Sequence, residues 1–332
     1  MIVSMKPPYE ITNSILKLIA SISEKIGEIN AVRLNKPSPE LRKRNRVRTI
    51  QASLEIEGNT LSEDQITAII ENKRVIGPKK DIIEVLNAIE VYEKLPEFKH
   101  NSLRSFLKAH QLLMKGLIDM PGKFRSETVG IVKGKEIAHI APPATNLPYL
   151  MKNLFDYLKK EDDPILIKSC VFHYEIEFIH PFMDGNGRMG RFWQTLILIK
   201  AYPVFEFLPF ETIIKDRQED YYRVLSESDK SGKSTAFVEF ILSAINESLE
   251  ELLKFQNRIV TAKDRMEYFI SIYRDDAFAR KDYMNIFKEI SSSTASRDLK
   301  YGIKQELIVK QGHKRMTKYK IKISQGKERL VV

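Results

Sequence analysis

The chain has 332 residues, 43% of them hydrophobic and 30% charged, with 1 cysteine, 6 histidines and a formal charge of +10. That size suits two or three packed domains, and the lone Cys170 excludes an intramolecular disulfide framework or a cysteine-rich zinc site. The charge is lopsided: residues 297–332 carry 11 Lys and Arg against 3 acidic residues, a local charge of +8, and the rest of the chain is nearly neutral.

The first residues, MIVSMKPPYE, lack the basic-then-apolar pattern of a signal peptide. The apolar run 195–199 falls far short of the roughly 20 residues that span a bilayer. A cytoplasmic location is the expectation. Ile11, Ile15, Leu18, Ile19, Ile22, Ile26 and Ile29 recur at three- and four-residue steps and predict an amphipathic helix over 11–30. Pro37-Ser38-Pro39 breaks that pattern, and a second helix over 40–57 is expected to stop at Gly58-Asn59. Ser62 caps a third helix, and a fourth covers 79–94, so 1–95 reads as an N-terminal helical region.

Helical periodicity returns at 100–118. Thr128–Val132 and Glu136–Ile140, joined by Lys133-Gly134-Lys135, predict a β-hairpin with Gly134 in the turn. Further helices are expected at 146–160, 164–178, 188–201, 211–226 and 234–258, closing a core over 96–258. The segment 259–332 then offers helices at 262–275 and 280–289, and a serine-capped basic helix from Ser291. A hairpin at 307–323 ends it. Helix, helix, basic helix and β-wing is the order of a winged helix-turn-helix. The fold class is mainly α.

The chemistry concentrates in His180-Pro181-Phe182-Met183-Asp184-Gly185-Asn186-Gly187-Arg188-Met189-Gly190-Arg191. Gly185-Asn186-Gly187 can turn successive backbone N–H groups toward an anion, at the start of a helix whose dipole favours negative charge. Arg188 and Arg191 lie three apart and can fork onto phosphate oxygens. Asp184 is a hard oxygen ligand suited to Mg²⁺ beside phosphates. His180 can take a hydroxyl proton near neutral pH. Together these residues describe a nucleotide-handling transferase.

The segment resembles the signature of the Fic family (filamentation induced by cAMP), H-x-F-x-D/E-G-N-G-R-x-x-R, at every defined position. The resemblance implies a protein adenylyltransferase that moves AMP from ATP to a Ser, Thr or Tyr hydroxyl of a target protein. On that resemblance His180 is the general base, Asp184 holds Mg²⁺, and Gly185, Asn186 and Gly187 form the anion hole. Arg188 and Arg191 grip the outer phosphates, and Phe182 anchors the motif in the core. The hairpin, with Thr128, Val129, Gly130 and Ile131, resembles the family's flap, which docks the target by strand addition. Pro121-Gly122-Lys123-Phe124-Arg125 resembles the usual approach to it. Ser53-Leu54-Glu55-Ile56-Glu57-Gly58 resembles the inhibitory motif S/T-x-x-x-E-G/N of the autoinhibited class. Ser53 and Glu57, four apart on one helix face, would pair the carboxylate with Arg191 and displace the γ-phosphate.

Other readings are weaker. Gly185–Gly190 also satisfies G-x-G-x-x-G, but no strand precedes it. Gly232-Lys233-Ser234 imitates a P-loop end, with Glu227 where its first glycine belongs. Cys170 and His173 read as core residues among Ile165, Leu166, Ile167, Val171 and Phe172, and Trp193, Tyr221 and Tyr222 read as packing residues. As alternatives, the Fic-like core serves a DNA-binding regulator as a nucleotide sensor, or the enzyme removes AMP or transfers another phosphate group. For the basic segment, Ser293, Thr294, Arg297 and Lys300, with Ser296 beside them, would face a major groove, and Lys314, Arg315 and Lys318 would reach phosphates. Protein recognition by this module, and a homodimer, stay open.

Overall fold

The computed structural model describes residues 6–31, 39–127, 129–133, 136–160, 162–258, 261–273, 277–287, 290–312 and 317–322. It divides into two compact units, one of 1–32 with 45–249 and the other of 33–44 with 250–332. Helices dominate both, and the strands form two separate antiparallel pairs. No described helix is long and apolar enough to cross a membrane.

In the larger unit α1 (Asn13–Ala31) buries Ile15, Ile22, Ile26 and Ile29 of the stripe read from the sequence; Leu18 and Ile19 are half-buried, and Ile11 lies exposed before the helix begins. The second helix, α2 (Pro39–Glu55), ends earlier than expected. Its last turn tightens, with Glu57 N–H donating to Leu54 C=O and Gly58 N–H to Glu55 C=O, and Gly58 takes a left-handed φ of 89°. Glu57 therefore lies on a turn rather than on the helix. Asn59 explains the early exit: its amide nitrogen donates to Glu84 Oε2 at 2.8 Å and to Asp81 C=O at 3.1 Å.

Helix α3 (Glu63–Ile70) starts in a capping box between Ser62 and Gln65, and α4 (Lys79–Glu93) follows. Helix α5 (Leu103–Leu113) leads to β1 (Gly130–Lys133) and β2 (Glu136–Ile140), which pair Gly130 with Ile140 and Lys133 with Glu136. A register irregularity falls between Ile131 and Val132. Thr128 and the Gly134-Lys135 turn lie outside the described residues. After α6 (Leu147–Lys160), α7 (Ile165–Ile179) and α8 (Asn186–Ala201) pack closely at the centre. A Cβ on Gly190 would come within 2.5 Å of His173 Cδ2, so only glycine permits this approach. Phe106, Phe155, Phe172, Phe182 and Trp193 form a buried aromatic cluster beneath the two helices. Each such ring contributes about 2–3 kcal/mol by burial. The single helix expected at 211–226 is two, α9 (Glu211–Asp216) and α10 (Gln218–Ser231), separated at Arg217; α11 (Thr235–Arg258) follows.

The smaller unit contains α12 (Ala262–Ile272), α13 (Arg280–Ile286), α14 (Ser292–Lys304), and the antiparallel strands β3 (Ile308–Gln311) and β4 (Lys318–Ile321). Its core gathers Met266, Phe269, Phe278, Tyr283, Ala295, Leu299 and Ile308. Asp298, fully buried, accepts both prongs of Arg265 at 2.7 and 2.9 Å and the Tyr283 hydroxyl at 3.2 Å, tying the three helices together.

Candidate active site

The site forms where the C-terminus of α7 meets the N-terminus of α8. Helix α7 ends at His180, which takes a left-handed φ of 49°. That conformation turns the chain sharply into the loop, at an energetic cost for a non-glycine residue. His180 Nδ1 lies 3.3 Å from Glu177 C=O, and the ring is half-buried. Gly185, with φ at 85°, caps α8, so the helix starts at Asn186 rather than 188 as the sequence suggested. The N–H groups of Asn186, Gly187 and Arg188 thus fall in the first helical turn, where no intrahelical acceptor exists.

Asn186 faces inward. Its side-chain oxygen accepts from Phe182 N–H at 3.0 Å and its amide donates to Phe182 C=O at 2.9 Å, closing the loop on itself. Phe182 is fully buried and stacks on His110 with ring centroids 3.5 Å apart.

The two motif arginines have different partners. Arg191 is fully buried; its Nη2 donates to Glu57 Oε1 at 2.7 Å and to Ser53 C=O at 2.9 Å, and its Nε to Ser53 Oγ at 3.1 Å. Burial opposes the charge on Arg191, but Glu57, Tyr221 and Glu177 raise its pKa above the ordinary value. Arg188 splits its fork between Glu84 Oε1 and Asp184 Oδ1, each at 2.8 Å. Asp184 Oδ1 also accepts from Gly185 N–H at 2.6 Å, and the carboxylate stays 47% exposed.

Three further groups complete the site, none of them singled out by the motif. Glu84 on α4 is buried and links Arg188 to Asn59, just after the turn that carries Glu57. Its sequence signal was the spacing of Asp81, Glu84 and Asn87, polar residues three apart on the buried face of α4. His110 on α5 accepts Gly122 N–H at Nδ1, 2.8 Å, so its Nε2 carries the proton and donates to Asp184 C=O at 3.0 Å. Burial lowers its pKa to about 4, which keeps the ring neutral. Glu177, one turn before His180, accepts from the Tyr221 hydroxyl at 2.8 Å; burial first, then Glu57, push its pKa up to about 7.

A Cβ on Gly187 would meet Glu57 Oε1 at 2.3 Å, Glu177 Oε1 at 3.0 Å and Arg191 Nη1 at 3.1 Å. The Glu57 carboxylate therefore rests directly against the first turn of α8. Cys170 and His173 belong to the core: burial pushes the thiol up to about 12 and the imidazole down to about 3. Among the flap residues, Val129, Gly130 and Ile131 are described, and Gly130 and Ile131 lie in β1. In the smaller unit, Ser293, Arg297 and Lys300 are exposed along α14, and Thr294 is half-buried. Ser296 is half-buried, donates to Ser292 C=O and accepts from Arg280. Lys314 and Arg315 lie outside the described residues.

The Fic/DOC family description matches residues 101–198. A crystal structure of a Fic family protein from Desulfovibrio desulfuricans G20 is 41% identical, with a TM-score of 0.75, covering 97% of this chain and 100% of that one. Fic-1 (residues 134–508) from C. elegans shares the fold at 22% identity and a TM-score of 0.61, covering 73% of this chain and 72% of that one. The protein adenylyltransferase Fic of Nematostella vectensis is 27% identical over 213 residues, 60% of this chain and 46% of that protein. That of Culex quinquefasciatus is 29% identical over 217 residues, 61% of this chain and 41% of its own length. The chain spans about half the length of the curated relatives it matches. By its near full-length match at 41% identity and by its helical core, the chain belongs to the Fic family.

Proposed function

We propose that this chain is a protein adenylyltransferase that transfers AMP from ATP to a hydroxyl side chain of a target protein, restrained by Glu57. One observation carries the reading: a carboxylate oxygen already sits against the first turn of α8 and on Arg191, where a phosphate oxygen of ATP would lie. The pocket is thus built to accept anionic oxygen. Relatives named protein adenylyltransferase support the choice of reaction.

In this mechanism the amides of Asn186, Gly187 and Arg188 cradle the phosphates, and Arg191, once released by Glu57, holds the γ-phosphate. With Nδ1–H donated to Glu177 C=O at 3.3 Å, the His180 imidazole would take the target hydroxyl proton at Nε2. The hydroxyl oxygen then bonds to the α-phosphorus, and the bond to the leaving pyrophosphate breaks. Among the described residues no group of three or more His, Cys, Asp and Glu side chains could hold a metal alone. One half-exposed carboxylate nonetheless fits a Mg²⁺ whose remaining ligands are phosphate oxygens and water. Asp184 would hold it, and the ion would supply charge neutralisation on the phosphates. The flap strand β1 would receive an extended target segment. We assign 1–95 as the regulatory region and 96–258 as the catalytic core. A cytoplasmic location goes with ATP as substrate.

The test is labelling from α-labelled ATP with Mg²⁺. The Glu57→Gly protein should incorporate label into itself or lysate proteins, and adding His180→Ala should lower incorporation about 100-fold or more. No labelling by Glu57→Gly would overturn the enzyme reading.

A second role rests on the smaller unit. Its three helices and hairpin suit a winged helix, and Ser293, Arg297 and Lys300 exposed on α14, with Lys318 and Lys320 exposed on β4, are groups suited to duplex DNA.

A further inference from the structure

Arg125 is 4% exposed, and its acceptors are backbone carbonyls. Its Nε donates to His180 C=O at 2.7 Å and its Nη2 to Ile179 C=O at 3.3 Å. The same guanidinium reaches Glu127 C=O through Nη1 at 2.6 Å and Pro142 C=O through Nη2 at 2.5 Å. Its own backbone N–H donates to Pro181 C=O at 3.0 Å. Glu127 and Pro142 lie just outside the two ends of the hairpin, whose stem closes with Ala141 N–H donating to Val129 C=O at 3.2 Å.

A buried cation is costly unless its surroundings are matched to it. Here the left-handed turn at His180 leaves the last carbonyls of α7 without helical donors, and the negative end of the helix dipole favours a cation beside them. A rigid planar fork can bridge those carbonyls and the hairpin stems together, which a flexible ammonium cannot.

We infer that Arg125 is a positioning residue that joins the base His180 to both stems of the flap, so that a target strand paired to the flap presents its hydroxyl at a fixed distance from the imidazole. The inference rests on the adenylyl-transfer reading for its consequence, but the coupling itself is measurable without turnover. A misplacement near 1 Å can lower a rate by about 100-fold.

The experiment compares Glu57→Gly with the same protein carrying Arg125→Gln or Arg125→Lys. Three quantities are read: the initial rate of self-labelling from α-labelled ATP, the affinity for ATP with Mg²⁺, and backbone amide hydrogen exchange. Arg125→Gln should cut the labelling rate about 100-fold and leave ATP affinity within about twofold. Exchange should accelerate at least about tenfold in the hairpin and at 180–182 together, with α8 unaffected. Arg125→Lys, retaining charge but not the fork, should fall between, and it decides the matter if Arg125→Gln does not fold. Faster exchange in the hairpin alone, or equally throughout α7 and α8, would overturn the coupling and leave Arg125 a core cation. Exchange in which both segments respond, with no labelling by the Glu57→Gly parent, would uphold the coupling while removing the adenylyl-transfer reading.

Discussion

Glu57 and Arg191, separated by 134 positions in the chain, meet at 2.7 Å with the arginine fully buried and the carboxylate 31% exposed. The pair is asymmetric: the arginine is fixed by Ser53 as well, whereas the glutamate is borne on a short turn. Releasing the pair therefore needs movement of the turn only. Its carbonyl at Ile56 is held by Gln218 at 2.8 Å and by Tyr222 at 3.2 Å, so α10 restrains the turn from the other side.

Replacing Glu57 by glycine should free Arg191 for the γ-phosphate and raise AMP incorporation at least about tenfold, equivalent to about 1.4 kcal/mol in the barrier. Initial rates measured at saturating ATP check this. Equal rates for the two proteins would remove Glu57 as an inhibitor.

Asp184→Ala should abolish the dependence of labelling on Mg²⁺ concentration and lower the rate by at least about tenfold. The substitution also removes one partner of Arg188, which keeps Glu84. Thermal melting should then change little, and an unchanged Mg²⁺ titration would contradict the metal role.

Glu211, fully buried at the start of α9, accepts from Thr195 Oγ at 2.9 Å, and burial pushes its carboxyl up to about 7 from an ordinary 4.5. Between those values the folded protein keeps a proton that the unfolded chain has released. Stability from this group is therefore full below about pH 4.5, declines as pH rises toward 7 and is level above it, a loss of roughly 3 kcal/mol. Glu211→Gln should shrink the fall in melting temperature between pH 5 and pH 8. Glu175 and Glu177, both raised to about 7 by burial, leave a residual slope. An unaltered difference between the two pH values would show that Glu211 does not titrate in this range.

Binding of duplex DNA, read by fluorescence anisotropy, should weaken steeply with salt. Neutralising Arg297 and Lys300 together should reduce the slope of log affinity against log salt by about 2. Affinity indifferent to salt and to both substitutions would leave the exposed face of α14 without a DNA role.

The helical class, the buried stripe of α1, the hairpin at 130–140 and the His180–Arg191 segment could all be read from residue order, because each depends on short-range spacing. Periodicity of three to four residues, a glycine-bearing loop and a helix start are local properties of the chain. Which acid meets which arginine was only partly local. The Glu57 pairing could be anticipated from a short motif, although the helix expected to carry it stops at Glu55. The hold of Glu84 on Arg188, the proton assignment of His110, and the four carbonyls around Arg125 arise from segments far apart in sequence. They were decided only when α4, α5 and the hairpin stems packed around α7 and α8. Burial then removed water as a competing partner and made these few hydrogen bonds obligatory.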